Sequence, residues 1–387
     1  MSRTIRTVFS LGLAGQVCRV LATIVMTSQF AAAAENGSAG ITQPIMLPAF
    51  RPNAPNCSKP PGLVKTLRYV QENEREFLDG VHQGLKAAAR DRDLNYQRVI
   101  VENDVPAAVR QIEAFRNDKG GALVATSSNP SAVSSSLQRA IWSGAFVGTI
   151  VPPPATLILN APQYATGKAI TDAAIAHIAA KLHGKATVVL LTQDTMQFLA
   201  PRFEAMRDGL NALPDVEIVA DIAANPVNKE GGFAAMNTIL LANPNIDVVL
   251  GGDAVVLGAL KALRAAGKDR PDQFLGGIDG EPEAVSELKK VNSPFKASIA
   301  LSSPVFGYAM GVYGADWLEG KSIPQAMDIL PSALTLENIQ QYEADLVNPA
   351  SVFADPVRRA AYLKMYGNIC YDTRDQYLNF PWSSETQ

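Results

Sequence analysis

The feature of this sequence that most constrains its fold is a regular alternation of short apolar runs with longer helical patterns, starting near Val64. Each run suits a buried strand, and each intervening stretch can form a helix that returns the chain to the same sheet. The alternation predicts parallel sheets covered by helices on both faces. The predicted strands are 66–70, 98–101, 122–125, 146–150, 187–191, 217–221, 248–250, 274–278 and 296–300. The predicted helices lie near 75–91, 105–117, 131–143, 163–182, 198–213, 229–243, 254–266, 282–290 and 304–319.

Nine strands exceed what one open twisted sheet holds comfortably, so we predict two sheets in two lobes. A chain of 387 residues with 47% hydrophobic side chains can build both cores. The prolines at 152–154 interrupt the alternation, and we interpret them as a stiff crossing between the lobes. In the last predicted helix, Gly307, Gly311 and Gly314 leave one side bare, which favours close packing on a sheet or neighbouring helix.

Residues 1–34 have the layout of a secretory signal peptide. Arg3 and Arg6 make the start positive, an apolar stretch follows, and four alanines end the segment as a cleavage site would. An uncleaved anchor helix is the alternative, but Arg19 divides the apolar stretch below the roughly 20 residues that a membrane span requires. We therefore expect export, with cleavage near Ala34.

Export changes how the cysteines are interpreted, because Cys18 would leave with the signal peptide. Cys57 lies in a segment, 35–62, that is rich in proline, asparagine, alanine and serine and is expected to be irregular. Cys370 lies near the other end of the chain. An even pair in an oxidising compartment favours a disulfide between Cys57 and Cys370, and two buried free thiols are the alternative.

The net charge and the positions of the possible metal ligands exclude several classes of function. The net charge is −3 and no block of lysine or arginine occurs, so nucleic-acid binding has no electrostatic support. The three histidines and three cysteines are too scattered for a zinc finger or ribbon, and no glycine-rich nucleotide motif follows a predicted strand. We expect no metal or cofactor, and we expect the histidines at the surface.

The final segment, 336–387, loses the alternation but is rich in aromatic residues. It carries Tyr342, Tyr362, Tyr366, Tyr371, Tyr377 and Trp382. Such a segment is too aromatic for a solvated tail, so we expect an extension that packs on the body of the protein.

Open parallel sheets bind ligands beyond the carboxyl ends of their strands, so the residues after each predicted strand are the candidates. These residues carry amide, hydroxyl and carboxylate groups, with one aromatic ring nearby. They are Asn73, Phe77, Ser127, Gln193, Asp253 and Asp279. Such groups exchange hydrogen bonds with ligand hydroxyls, while an aromatic face covers the C–H groups of a sugar ring. The set predicts a small polyhydroxylated ligand rather than a phosphate.

Each of these residues also has a structural interpretation. Asp253 could cap the helix that follows it, Asp279 and Gly280 could form a turn, and Phe77 could be ordinary core. Ser127 could cap the next helix. Asp253 and Asp279 could instead be a paired-carboxylate hydrolase site, although no other catalytic signature accompanies them.

The stretch 243–268, followed by Gly277-Ile278-Asp279-Gly280, resembles the type I periplasmic sugar-binding proteins. These are the ribose-binding-like branch of the solute-binding proteins of ABC importers. The resemblance covers about 64–335. Its shorter matching pieces are Phe77 with Gly84, Gly167-Lys168, 207–210 and 297–300.

The resemblance implies roles for particular residues. Asp279 would hydrogen-bond sugar hydroxyls, Phe77 would stack on the ring, and Asp253 would stand at the mouth of the second lobe. The family's binding arginine has two candidates here, Arg202 and Arg207, of which we select Arg202.

This sequence also departs from the ribose binders. Val151-Pro152 replaces their Asp-Arg, Gly252 replaces an asparagine, and Leu301 replaces a glutamine. We therefore expect a less polar cleft than a pentose site, in which a deoxy sugar, a polyol or a modified ligand fits as well.

The resemblance further implies a type I periplasmic binding protein fold of α/β class, with three crossings near 160, 301 and 328. The N-terminal lobe would comprise 63–160 and 302–328, and the C-terminal lobe 161–301 and 329–335. A ligand that touches both lobes would favour a closed form, which would dock on an ABC permease in the inner membrane.

We expect a monomeric periplasmic protein that performs no catalysis. The alternatives are a ligand sensor of the same fold that feeds a membrane kinase or chemoreceptor, and a secreted glycosidase-like enzyme.

Overall fold

The computed structural model describes residues 37–150 and 153–386. The predicted signal peptide, 1–34, and Val151-Pro152 lie outside the described residues. The strands are β1 Val64–Gln71, β2 Asn95–Ile100, β3 Gly120–Ala125, β4 Phe146–Ile150, β5 Leu157–Asn160, β6 Ala186–Thr192, β7 Val216–Ala223, β8 Val248–Gly251, β9 Phe274–Asp279, β10 Phe295–Ala300, β11 Ala326–Ile329, β12 Ser332–Ala333 and β13 Leu363–Tyr366.

The helices follow the strands in the order that the alternation predicts. They are α1 Glu76–Asp91, α2 Val105–Asn117, α3 Pro130–Trp142, α4 Gln163–Lys181, α5 Ala200–Asn211, α6 Lys229–Ala242, α7 Asp253–Ala265, α8 Pro282–Leu288, α9 Ser303–Leu318, α10 Ile339–Val347, α11 Pro349–Ala354 and α12 Pro356–Tyr362. Short 3-10 helices span Gln197–Leu199, Tyr371–Gln376 and Ser384–Thr386. All nine predicted strands and all nine predicted helices are present.

The strands form two mostly parallel sheets, as predicted. The first has the order β13-β11-β5-β4-β3-β1-β2 and the second β12-β10-β9-β8-β6-β7. Only β13 in the first sheet and β12 in the second run antiparallel to their neighbours. Every residue of β3 is buried, because helices cover both faces of the sheet. Both sheets belong to one compact unit that begins at Gly40.

The interpretation of the proline run as a crossing between lobes is wrong. The strands on either side of it, β4 and β5, are parallel neighbours in the first sheet, with Thr149 opposite Ile158. The chain crosses to the second sheet only after β5, then returns between β10 and α9, and crosses again between β11 and β12. The three expected crossings are therefore present.

A fourth passage was not predicted. After β12 the chain continues through α10 to α12 and returns to the first sheet, where β13 pairs with β11. The aromatic side chains of this segment are largely buried, including Tyr377 and Trp382. The predicted disulfide is confirmed: Cys57 and Cys370 are bonded, with Cα atoms 6.2 Å apart, and tie this segment to the first lobe.

The glycines of α9 allow the close packing that the sequence predicts. A Cβ on Gly307 would lie 2.5 Å from the backbone oxygen of Val81 in α1, and one on Gly311 would lie 2.6 Å from the Cβ of Ala88. On the α1 side, a Cβ on Gly84 would lie 2.2 Å from the oxygen of Pro304. The two helices touch through their backbones, which fixes the start of α1 beside the cleft.

None of the helices within the described residues combines the length and the apolar character that crossing a bilayer requires.

Candidate functional site

A cavity lies between the carboxyl ends of the two sheets, where parallel α/β sheets place their ligands. It encloses about 740 Å³, including its open mouth. Its wall combines segments that follow β1, β3, β6 and β9 with residues at the three crossings. The lining residues are Glu72, Arg75, Phe77, Leu78, Thr126, Ser127, Ser128, Ile150, Leu159, Asn160, Ala161, Gln163, Gln193, Met196, Phe198, Leu199, Arg202, Asp279, Leu301 and Ile329.

Asp279, the last residue of β9, is the central carboxylate of this cavity. Its φ of 126° is a strained conformation for a residue other than glycine. Asp279 is held there by pairing with Ala300 of β10 and by a hydrogen bond from the Leu301 N–H to its carbonyl (3.1 Å). Burial raises the pKa of Asp279, although the positive charges of Arg202 and Arg75 oppose that effect.

The loop after Asp279 is anchored by groups beneath it. Gly280 donates its N–H to Ser298 Oγ (3.1 Å), and its carbonyl accepts a hydrogen bond from Tyr342 Oη (2.8 Å). The Glu281 N–H donates to Asp253 Oδ2 (2.9 Å). These bonds leave the Asp279 side chain facing the cavity.

Asp253 is therefore a positioning residue behind the site, and it does not line the cavity. It is fully buried, and both of its carboxylate oxygens accept from Ser298 Oγ, at 2.9 and 2.8 Å. Burial, reinforced by the charge of Asp279, raises the pKa of Asp253 to about 8. Asp253 also does not cap α7, because the N-cap residue is Gly252 and no side-chain cap is present.

The position of Asp253 bears on the hydrolase alternative. A glycosidase presents two carboxyl groups to opposite faces of its substrate. Here Asp279 faces the cavity while Asp253 is covered by the loop that contains Gly280 and Glu281. These two carboxylates do not form a catalytic pair.

Arg202 brings a buried positive charge to the cavity wall, close enough to Asp279 for the two charges to interact. Its Nε donates to Gln163 Oε1 (2.9 Å), and both side chains are almost fully buried. The first turn of α5 reaches this position because Gly167 of α4 lies against it: a Cβ there would be 1.9 Å from the oxygen of Arg202. Burial lowers the pKa of Arg202, and the charge of Asp279 opposes that effect. Arg207, the other candidate, instead pairs at the surface with Asp194 and Asp221.

Phe77 provides the aromatic part of the wall. Its ring packs 5.7 Å from that of Phe306, and the guanidinium of Arg75 lies 5.7 Å from its centroid. Much of the remaining wall is apolar and comes from the crossings and from the 3-10 helix. These residues include Ile150, Leu159, Met196, Phe198, Leu199, Leu301 and Ile329.

Gln193 lies next to Gly252, the position at which this sequence lacks the asparagine of the ribose binders. A Cβ on Gly252 would lie 3.2 Å from Gln193 Nε2 and 4.0 Å from Asp279 Oδ2. The amide of Gln193 thus occupies space that a larger residue at 252 would take, and it brings a donor and an acceptor close to Asp279.

Several of the polar side chains that the first lobe contributes to the cavity already accept hydrogen bonds from backbone N–H groups. Glu72 accepts from the Ser128 N–H (2.6 Å), and Thr126 Oγ1 accepts from the Glu72 N–H (3.0 Å). Ser127 lines the cavity, and its Oγ accepts from the Asn129 N–H (3.1 Å). The next helix, α3, is capped by Asn129 rather than by a serine.

The structure brings together five of the seven predicted ligand-binding residues: Phe77, Ser127, Gln193, Arg202 and Asp279. Asp253 lies behind the wall, and Asn73 lies outside it, donating from Nδ2 to Asn103 Oδ1 (2.8 Å). Asn160, Gln163 and most of the apolar residues at the crossings between the lobes also line the cavity, although they were not predicted. Asn160 ends β5, a short strand that the pattern did not reveal, and Gln163 begins the helix that follows it.

No preformed metal site lines the cavity among the described residues. The one group of potential ligands whose atoms lie within 4.8 Å of one another is Cys57, Cys370 and Asp372, and its sulfurs form the disulfide. The cavity offers hydrogen-bonding groups, one buried arginine and a large apolar surface, which suits a small organic ligand.

Comparison with known proteins agrees with this architecture. A family model described as a periplasmic binding protein domain matches residues 69–322. A D-apiose import binding protein from Actinobacillus succinogenes is 38% identical over 94 residues, which are 24% of this chain and 29% of that protein. A ribose import binding protein from Bacillus subtilis is 24% identical over 267 residues, which are 65% of this chain and 80% of that protein.

Solved structures share the fold. A protein from Mycobacterium smegmatis in complex with β-D-fucofuranose has a TM-score of 0.66 and 19% identity, covering 78% of this chain and 99% of that chain. The two mostly parallel sheets and their crossings are those of the type I periplasmic binding proteins. Because the family model matches about two thirds of the sequence, the chain belongs to the periplasmic binding protein family.

Proposed function

We propose that this protein captures a small polyhydroxylated ligand, such as a sugar, a deoxy sugar or a polyol, and delivers it to an ABC importer. The observation that carries the proposal is the cavity at the facing sheet edges, with Asp279, Arg202 and Gln193 on one side and Phe77 on the other. In a site shielded from water, a carboxylate accepts hydrogen bonds and an arginine donates them. The two groups together can therefore bind adjacent ligand hydroxyls without any bond being made or broken. The two relatives named above are import binding proteins for D-apiose and for ribose.

The apolar wall narrows the class of ligand. Leu301 and Ile150 present hydrocarbon to the cavity at positions near those where ribose binders carry polar groups. Burying a ligand hydroxyl against hydrocarbon costs free energy unless it finds a partner. We therefore favour a ligand with a deoxy carbon or a ring face that bears few hydroxyls.

We further propose that the protein is exported, that residues 1–34 are removed near Ala34, and that the ligand-closed form docks on a membrane permease. The disulfide between Cys57 and Cys370 supports an oxidising compartment. Ligand contacts with both lobes would shift the population toward the closed form.

The test is a thermal-shift screen of the mature chain against neutral sugars and polyols, followed by calorimetry on each hit. A true ligand at 100 times its dissociation constant should stabilise the protein by about 2.7 kcal/mol. Asp279→Asn should weaken binding about 10- to 100-fold, because a charged hydrogen-bond acceptor is lost.

Asn73→Ala is the matched control, because Asn73 follows β1 but lies outside the cavity. It should leave affinity unchanged. Full affinity in Asp279→Asn, or product formation from the bound sugar, would contradict the proposal.

A further inference from the structure

A second cavity adjoins the first on the side of α10. It encloses about 1140 Å³ including its mouth, and it shares Phe77 and Asp279 with the first cavity. Its acidic lining residues are Glu76, Asp79, Asp279, Glu281 and Glu343. Its described lining includes no lysine, arginine or histidine. A ligand held at Asp279 therefore has one end next to a negatively charged space.

Glu281 is the residue of the second cavity whose carboxylate is free to pair with a ligand group. Its side chain lines the second cavity although the residue is only 5% exposed. Within the described chain its carboxylate has neither a hydrogen bond nor an ion pair, although its backbone N–H donates to Asp253. Its oxygens are not among the sealed, unpartnered side-chain atoms of the described chain, so they face the cavity and are open to a positively charged group of a ligand.

The groups that face Glu281 add to its negative surroundings. Asp279 of β9, Asp253 of α7 and Glu76 of α1 all disfavour its ionised form, and the charge of Arg75 opposes them. Burial is the largest cause, and with these charges it raises the pKa of Glu281 to about 9. Two other acids of the cavity are already paired: Asp79 with Arg98, and Glu343 with Lys289.

We propose that the ligand carries a positively charged amino group, which lies against Glu281 in the second cavity while its hydroxyls lie against Asp279 and Arg202 in the first. The ligand class is thus an amino sugar or an amino polyol, and this inference rests on the proposed function. An ammonium group has three donors, which can satisfy Glu281 and Asp279 together.

A divalent metal ion fits the arrangement less well. A metal requires several ligand atoms around one point, and Asp253, Asp279 and Glu281 are not among the described residues whose ligand atoms cluster within 4.8 Å. An ammonium group instead needs only one or two carboxylates as acceptors.

Calorimetry with matched pairs tests the inference: D-glucosamine against D-glucose, D-galactosamine against D-galactose, and 1-amino-1-deoxy-D-sorbitol against D-sorbitol. We expect at least one amino compound to bind about 30-fold or more tightly than its hydroxyl partner. For 1-amino-1-deoxy-D-sorbitol, whose alkylammonium group stays charged at pH 7.5, binding should release about one proton, measured in buffers of different ionisation enthalpy, because the ammonium group favours ionised Glu281. A neutral partner should release none.

Glu281→Gln keeps the shape of the side chain and should abolish the preference for the amino compound, while the affinity for its neutral partner stays the same. Glu343→Gln is the control, because it removes a negative charge from the same cavity at an exposed, already paired position. Equal or tighter binding of the neutral partners would overturn the inference and leave the proposed function intact. An unchanged preference in Glu281→Gln would also overturn it, whereas no binding by either series would defeat both proposals.

Discussion

Asp253 and Asp279 differ in role although they follow neighbouring strands. Asp279 keeps a strained φ of 126° and faces the cavity, while Asp253 is buried and accepts hydrogen bonds from Ser298 and from the backbone of Glu281. The strain at Asp279 is sustained only because the loop after it is tied down. Asp253 thus fixes the loop after Asp279 and does not itself line the cavity.

The raised pKa of Asp253 predicts a pH-dependent stability. The folded protein retains a proton that the unfolded chain loses near pH 4, so stability falls as pH rises from about 4 to the folded-state pKa of about 8. Asp253→Asn imitates the protonated form and should flatten this fall by up to about 1.4 kcal/mol per pH unit. Urea unfolding at pH 5, 6, 7 and 8 measures it.

The surface variant Asp172→Asn, on the exposed face of α4, serves as the control and should reproduce the wild-type slope. Identical slopes in the wild type and in Asp253→Asn would show that Asp253 does not titrate in this range.

At the scale of elements, the packing of α1 on α9 sets the position of the aromatic wall. Phe77 lies in the first turn of α1, and its ring packs on Phe306 of α9. The two backbones come together because Gly84 and Gly307 carry no side chains at the contact. A change of one methyl group there should therefore act both on stability and on the cavity.

Gly84→Ala should destabilise the protein by about 1–3 kcal/mol, because its Cβ would lie 2.2 Å from a backbone oxygen and the helices must separate. It should also weaken ligand binding by displacing Phe77. Lys86→Ala, on the exposed face of the same helix, should change neither property by a measurable amount. Chemical denaturation and calorimetry provide the readouts, and a Gly84→Ala protein of wild-type stability would contradict this account of the helix contact.

At the scale of the whole molecule, the C-terminal segment adds a fourth connection between the lobes. Tyr342 and Glu343 of α10 contact the second lobe at Gly280 and Lys289, whereas β13 and the disulfide belong to the first lobe. Near its end, Glu385 accepts hydrogen bonds from the Tyr164 and Ala165 N–H groups at the start of α4. The segment therefore contacts both lobes.

Replacing both disulfide cysteines by serine should lower the free energy of unfolding by roughly 5–6 kcal/mol, because the bond closes a loop of 313 residues in the unfolded chain. The wild type treated with reductant should match the variant in urea unfolding. If the oxidised wild type and the double-serine variant unfold at the same denaturant concentration, the disulfide contributes nothing to stability.

The sequence alone determined the two parallel sheets, the glycine side of α9 that packs closely, the two candidate disulfide cysteines and five residues of the cavity. These features depend on local patterns: the spacing of apolar residues reports burial, and a residue directly after a parallel strand must lie at the carboxyl edge of its sheet. With Cys18 expected to leave with the predicted signal peptide, only one pairing was possible, and the structure decided between that disulfide and two free thiols.

Only the tertiary structure decided that Asp253 lies behind the loop, that β13 joins the first sheet and that Glu281 faces a second acidic cavity. These facts depend on which segments meet from distant parts of the chain, such as Ser298 with Asp253, or Tyr342 with Gly280. A local pattern shows that a carboxylate follows a strand. Whether that carboxylate meets solvent, ligand or a backbone N–H is set by long-range packing, which no local pattern contains.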